Sequence, residues 1–217
     1  MEHAVFVPLF PLRSVKCLRA AVLNPEFYWK NCTILRRMES LRRELRGVQW
    51  GLSRARKIAG RIAEDKAAIR ALLRELFGED VEVRKRAADV ARRITERDGR
   101  LLERYADELA GLLETMPMDE SRTRWHLGLV VPRVAHTRAQ RLRAARTMSL
   151  LAQDESNVVR CSAVEGMGLL AMQEASLRDE LEVMVERFLR EGTLAMKSRA
   201  RGVNRRLKKG FRARREI

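Results

Sequence analysis

The chain has 217 residues, 46% of them apolar but only 5% aromatic, with 12 glycines and 5 prolines. That make-up favours packed helices over sheets, and the length suffices for one domain or one repeat array with a sizeable core. No apolar run reaches the ~18 residues of a membrane span. Three widely spaced cysteines, Cys17, Cys32 and Cys161, offer neither a disulfide framework nor a metal-type spacing, so a reducing cytoplasm is the expected compartment.

The formal net charge of +16 is unevenly placed. Residues 36–61 carry nine Lys/Arg against Glu39 and Glu44. Residues 62–196 carry 22 basic and 24 acidic residues, and residues 197–215 carry ten basic residues and no acid. A neutral middle suits a scaffold, and basic ends suit contact with an anionic partner.

In chain order, residues 1–24 read as an extension that does not pack. The apolar stretch 5–12 is broken by Pro8 and Pro11, and Glu2 and His3 stand where a secretory signal has basic residues. Met38 is a second candidate start, because the repeating pattern begins near it. Asn24-Pro25-Glu26 reads as a capped helix start. Helices are predicted over about 26–46, 48–63, 65–77, from Asp80 onward, 100–116, 137–152 and 174–191. The array is placed at 25–209, with a basic tail at 210–217.

Within that array one helix recurs. Residues 83–94 (VRKRAADVARRI) return as 123–134 (TRWHLGLVVPRV), 159–170 (VRCSAVEGMGLL) and 196–207 (MKSRARGVNRRL). The second position is Arg84, Arg124, Arg160 and Lys197, at offsets of 40, 36 and 37 residues. Stepping ~100° per residue puts Val83, Ala87, Val90, Ala91 and Ile94 on one face. The other copies place Leu127, Val130 and Val134, then Ala163, Met167 and Leu170, then Ala200, Val203 and Leu207 there. A fainter copy lies upstream, with Ala55, Ile58, Ala59 and Ile62. Paired apolar helix ends at 72, 112, 150 and 188 follow nearly the same period. Two helix series sharing one period predict helix–turn–helix repeats.

Each unit resembles a HEAT repeat: a first helix, a turn bearing Asp80, Asp119 or Asp154, then a second helix opening with the apolar-basic-x-x-small pattern. The likeness covers about residues 39–209, and Pro132 inside a second helix departs from it. The chain is in this respect similar to bacterial HEAT-repeat domain proteins. What the resemblance implies is an all-α fold, a right-handed α-solenoid of four to five HEAT-like helix pairs that binds partners on its concave face. It implies no reaction and no cofactor.

The sequence holds no P-loop, no dinucleotide-binding glycine pattern, no His-Glu-x-x-His and no Gly-x-Ser-x-Gly. His126 and His136 are too few for a zinc site and read as surface or partly packed side chains. Alkylpurine DNA glycosylases are similar in architecture and in basic charge. Their chemistry needs an Asp among aromatic and Arg side chains on the concave face; here Trp125 is the only aromatic expected there, with Asp89 and Glu165 nearby. No site is carried over from them.

Opposite the core seam, the four copies read Lys85, Ala88, Arg92; Trp125, Gly128, Pro132; Cys161, Val164, Gly168; and Ser198, Arg201, Arg205. This predicts an exposed apolar strip of Trp125, Gly128, Leu129 and Val164, rimmed by Lys85, Arg92, Arg201 and Arg205. The alternative is that adjacent second helices cover the strip. Arg205, Arg206, Lys208 and Lys209 form a candidate phosphate-contacting run. The leading expectation is a non-catalytic module binding a protein partner, with no membrane contact. Sequence-independent nucleic-acid binding comes second, and a glycosylase-type enzyme third.

Overall fold

The structure, a computed structural model, describes the backbone of residues 39–215 and the side chains of residues 39–208. The extension placed at 1–24, the helix start at Asn24 and the side chain of Lys209 lie outside the described residues. Every regular element among those described is helical. In chain order they are α1 (39–46), α2 (Leu52–Ala63), α3 (Lys66–Leu76), α4 (Val81–Arg97), α5 (Ala106–Thr115), α6 (Ser121–Val134), α7 (Arg138–Leu151), α8 (Asn157–Gln173), α9 (Arg178–Glu191) and α10 (Leu194–Arg215). Short 3-10 turns, Gly99–Tyr105 and Ala175–Leu177, lead into α5 and α9. None of these helices is long and apolar enough to cross a membrane.

Local chemistry starts the helices where the sequence has capping residues. Asp65 accepts from Ala67 N at 2.8 Å, and Asp80 from Val83 N at 3.1 Å. Thr137 and Gln140 close a reciprocal capping box at the start of α7. Asp98 accepts from Arg100 N at 2.9 Å and opens the first 3-10 turn. The segment predicted as one helix over 100–116 therefore divides into a 3-10 entry and α5.

The predicted apolar face is the core. Val83, Ala87, Val90, Ala91 and Ile94 are fully buried, as are Leu127, Val130 and Val134 in α6 and Ala163, Met167 and Leu170 in α8. Ala55, Ile58, Ala59 and Ile62 of the faint upstream copy are buried as well. In α10 the pattern holds for Met196, Ala200 and Val203, and Leu207 is half-buried.

Contacts between helices follow two rules. Consecutive helices pair, α3 with α4, α5 with α6, α7 with α8 and α9 with α10. Each second helix also packs on the second helices before and after it, in the order α2, α4, α6, α8, α10. Three arginine–carboxylate pairs span successive units. Arg46 Nη2 meets Asp80 Oδ2 at 2.7 Å, Arg84 grips Glu120 through Nε and Nη2, and Arg124 Nε reaches Asp154 Oδ2 at 2.9 Å. Arg84 and Arg124 also donate to the carbonyls of Gly78 and Met116. Arg160, the next in the series, turns back to Asn157 of its own helix at 2.6 Å, and the ladder stops there.

Candidate functional site

The side-by-side packing of second helices corrects the expected exposed strip. Leu129 and Val164 are buried, at 4% and 0% exposure, and Gly128 is buried with them. A Cβ on Gly128 would stand 2.5 Å from Ser162 Oγ of α8. One on Gly166 would stand 2.7 Å from Pro132 Cγ, and one on Gly168 2.7 Å from Val203 Cγ1 of α10. Gly128 and Gly168, read on the outward face, and Gly166 of the core face are what let α6, α8 and α10 approach each other. Ala88 of α4 is buried too. Of the strip, only Trp125 keeps exposed surface, and it is half-buried against the core.

What lies open beside Trp125 is a cleft of about 410 Å³ between the loop before α2, α4 and α6. Residues 82, 85, 86, 89 and 93 of α4 line it, a spacing of three and four that puts Glu82, Lys85, Arg86, Asp89 and Arg93 on one helical face. The first turns of α6 add Arg122, Trp125 and His126, and the loop adds Trp50. Arg86 explains how Trp50 comes to be there. Its Nη1 donates to the carbonyls of Leu45 and Gly47, each at 2.6 Å, tying the loop to α4, and its guanidinium lies 5.4 Å above the Trp50 ring. Arg92 stands over Trp125 in the same way at 5.2 Å.

Asp89 forms the floor and is buried to 8% exposure. Its Oδ2 accepts from Trp50 Nε1 at 3.3 Å and its Oδ1 from Arg93 Nε at 3.2 Å, which is how a buried carboxylate is tolerated. His126 Nδ1 lies 4.0 Å from the same Oδ1, and that buried nitrogen has no hydrogen-bond partner. Burial lowers the imidazole pKa from 6.5 to about 4. The Asp89 charge opposes that fall, while Arg92, Arg93 and Arg122 reinforce it. At neutral pH the ring is uncharged, and the acceptors of the floor are the Asp89 oxygens. At the mouth stand Lys85, Arg122 and Glu82, while Arg86 and Arg93 are largely buried and engaged with Glu82 and Asp89.

The remaining predicted residues are not gathered into one place. Lys85 is held by Glu82 within α4, and Arg92 is half-buried beside Asp89 and Glu96. Arg201, Arg205, Arg206 and Lys208 are exposed on α10. Arg199 meets Glu165 of α8 at 2.7 Å, and Arg206 approaches the same carboxylate at 4.0 Å.

The sequence reading missed Trp50 and His126. Trp50 lies outside any repeat copy, so no periodicity pointed to it; it corrects the expectation of Trp125 as the only aromatic on this face. His126 was read as surface or partly packed, yet it is 7% exposed, because the start of α6 faces α4 across the cleft. One signal was available: Asp89 and His126 are 37 residues apart, about one period, and sit on second helices that pack side by side. No family model, curated protein or solved structure matches this chain.

Proposed function

We propose that this chain is a non-catalytic binding module, a right-handed α-solenoid of four to five HEAT-like helix pairs whose second-helix layer binds nucleic acid through its phosphates. One observation carries the reading: the excess of cations sits on the second helices, where α2, α4, α6, α8 and α10 together carry 24 Lys/Arg and four acids. The second helices α2, α6 and α10 contain four, three and ten Lys/Arg and no acid. The first helices α3, α5, α7 and α9 together carry ten Lys/Arg and nine acids, although α7 by itself has four arginines and no acid. Because the second helices follow one another in contact, their cations form a track along which a polyanion can release counterions at many points. Burial of Gly128, Leu129 and Val164 removes the apolar strip that favoured a protein partner. Three widely spaced cysteines suit a reducing cytoplasm, where the reading places the protein.

The test is fluorescence anisotropy with labelled single- and double-stranded oligonucleotides between 50 and 200 mM salt, a range over which phosphate contacts cost roughly 10³-fold or more in affinity. Replacing Arg201, Arg205, Arg206 and Lys208 by Gln is expected to weaken binding and flatten the salt slope while leaving the helical circular dichroism signal unchanged. No binding of either polymer at the lowest salt overturns the reading. Binding of an acidic peptide in its place would restore the protein-partner alternative. Release of free methylpurine from alkylated DNA would favour the glycosylase-type enzyme.

A further inference from the structure

We propose that the cleft between the Trp50 loop, α4 and α6 is a pocket for one unpaired guanine nucleotide, its base beside the two indoles, its N–H edge on Asp89 and its phosphate on the cationic rim. The proposal deepens the nucleic-acid reading and rests on it for the source of the nucleotide. Three features of the cleft select the ligand.

The first is size and walls. A volume of about 410 Å³ lies within the ~300–1,000 Å³ of small-molecule sites. Trp50 and Trp125 both border it and both keep part of their surface open. Indole surface of this kind favours a flat aromatic ring.

The second is the floor. Asp89 uses one acceptor site of each oxygen, toward Trp50 Nε1 and Arg93 Nε. A carboxylate offers about four such sites, so two remain. His126 Nδ1, on a side chain more than nine-tenths buried, adds a nitrogen with no partner of its own. The free acceptor sites of the carboxylate ask for adjacent donors, whichever tautomer His126 holds. Guanine presents N1–H and N2–H side by side on one edge. Adenine and cytosine each place an acceptor nitrogen next to the amine, which would set lone pair against lone pair. Uracil and thymine flank their single N–H with carbonyls.

The third is the rim. Lys85 and Arg86 both engage Glu82 at the cleft, and the exposed Arg122 stands beside them, a balance that favours an anion at the mouth while the carboxylate stays below. The polarity of the site therefore runs from acceptor floor to cationic mouth, as a nucleotide runs from base edge to phosphate. Phosphate contacts along the layer position a strand, and this one pocket would read a base.

Calorimetric titration of the full chain with GMP, AMP, CMP and free glutamate tests the proposal. GMP is expected to bind at least about tenfold more tightly than AMP or CMP, the discrimination of one good two-point base contact. Asp89→Asn should erase that preference while retaining binding. Arg122→Gln, at an exposed position, should weaken GMP without changing guanosine, and it keeps the test decisive if Asp89→Asn fails to fold. Equal binding of GMP and AMP, tighter binding of glutamate, or no nucleotide binding overturns the pocket. Oligonucleotide binding without GMP binding would overturn the pocket alone. GMP binding without oligonucleotide binding would overturn the polymer reading and leave the pocket.

Discussion

His126 is a base that burial keeps unprotonated, and this has a consequence for stability. Its pKa is about 4 in the folded chain against 6.5 for the free side chain. Below about pH 6.5 the unfolded chain takes up a proton that the folded chain refuses, so stability is lost as pH falls toward 4 and then levels off. The groups facing the ring are Asp89, Arg92 and Arg93 on α4 and Arg122 on α6, and only Asp89 favours protonation. The loss is at most about 3 kcal/mol. In urea titrations at pH 7 and pH 4.5, His126→Gln should show a smaller drop than the parent chain. An equal drop in both would mean that the imidazole is already accessible to protons when folded.

At the scale of the elements, the second helices are joined by residues chosen for what they lack. Pro132 has no N–H to give to the carbonyl of Gly128, one turn back in α6. That carbonyl, the proline ring and Met148 all crowd Gly166 of α8: a Cβ there would meet Met148 Sδ at 2.5 Å, Pro132 Cγ at 2.7 Å and Gly128 O at 2.9 Å. Gly166→Ala should therefore cost about 1–3 kcal/mol through overpacking. Gly60 of α2 is the control, since the nearest atom to its Cβ would be Arg97 Nη1 at 3.7 Å. There the same change relieves the helix of a flexible residue and should stabilise by about 0.5–1 kcal/mol. Opposite signs in paired thermal melts are the expected result. A neutral Gly166→Ala would show that α6 and α8 lie further apart than described.

Across the whole molecule, the arginine ladder decides how firmly one unit holds the next. The Arg124–Asp154 pair is the most enclosed, with side chains 9% and 1% exposed, whereas Arg46 in the Arg46–Asp80 pair is 58% exposed. Removing one partner of an enclosed pair strands the other charge, so Asp154→Ala should cost about 3–5 kcal/mol. Arg46→Ala should cost under about 1 kcal/mol, because water screens and replaces that contact. Chemical denaturation of both variants checks the ranking. Comparable losses would mean that the ladder acts through packing of the arginine stems rather than through charge.

Which residues form the core is legible in the order of the amino acids alone. The 3.6-residue period of the apolar positions and the roughly 38-residue return of the template placed Val83, Leu127, Met167 and Val203 inside, and all four are there. Burying an apolar face is a demand each helix makes by itself, so it is written in each helix's own spacing. The basic second position was equally legible at Arg84 and Arg124, but not the acids they reach, because Glu120 and Asp154 belong to the following unit. The surface was decided by tertiary packing. Gly128, Leu129 and Val164 read as exposed from one helix wheel, which cannot show that a neighbouring helix closes over the same side. Trp50, Asp89 and His126 come from three separate segments and meet only because Arg86 ties the loop before α2 to α4, and because α4 packs on α6. A wheel records angles about one axis; a cleft depends on the distance between two.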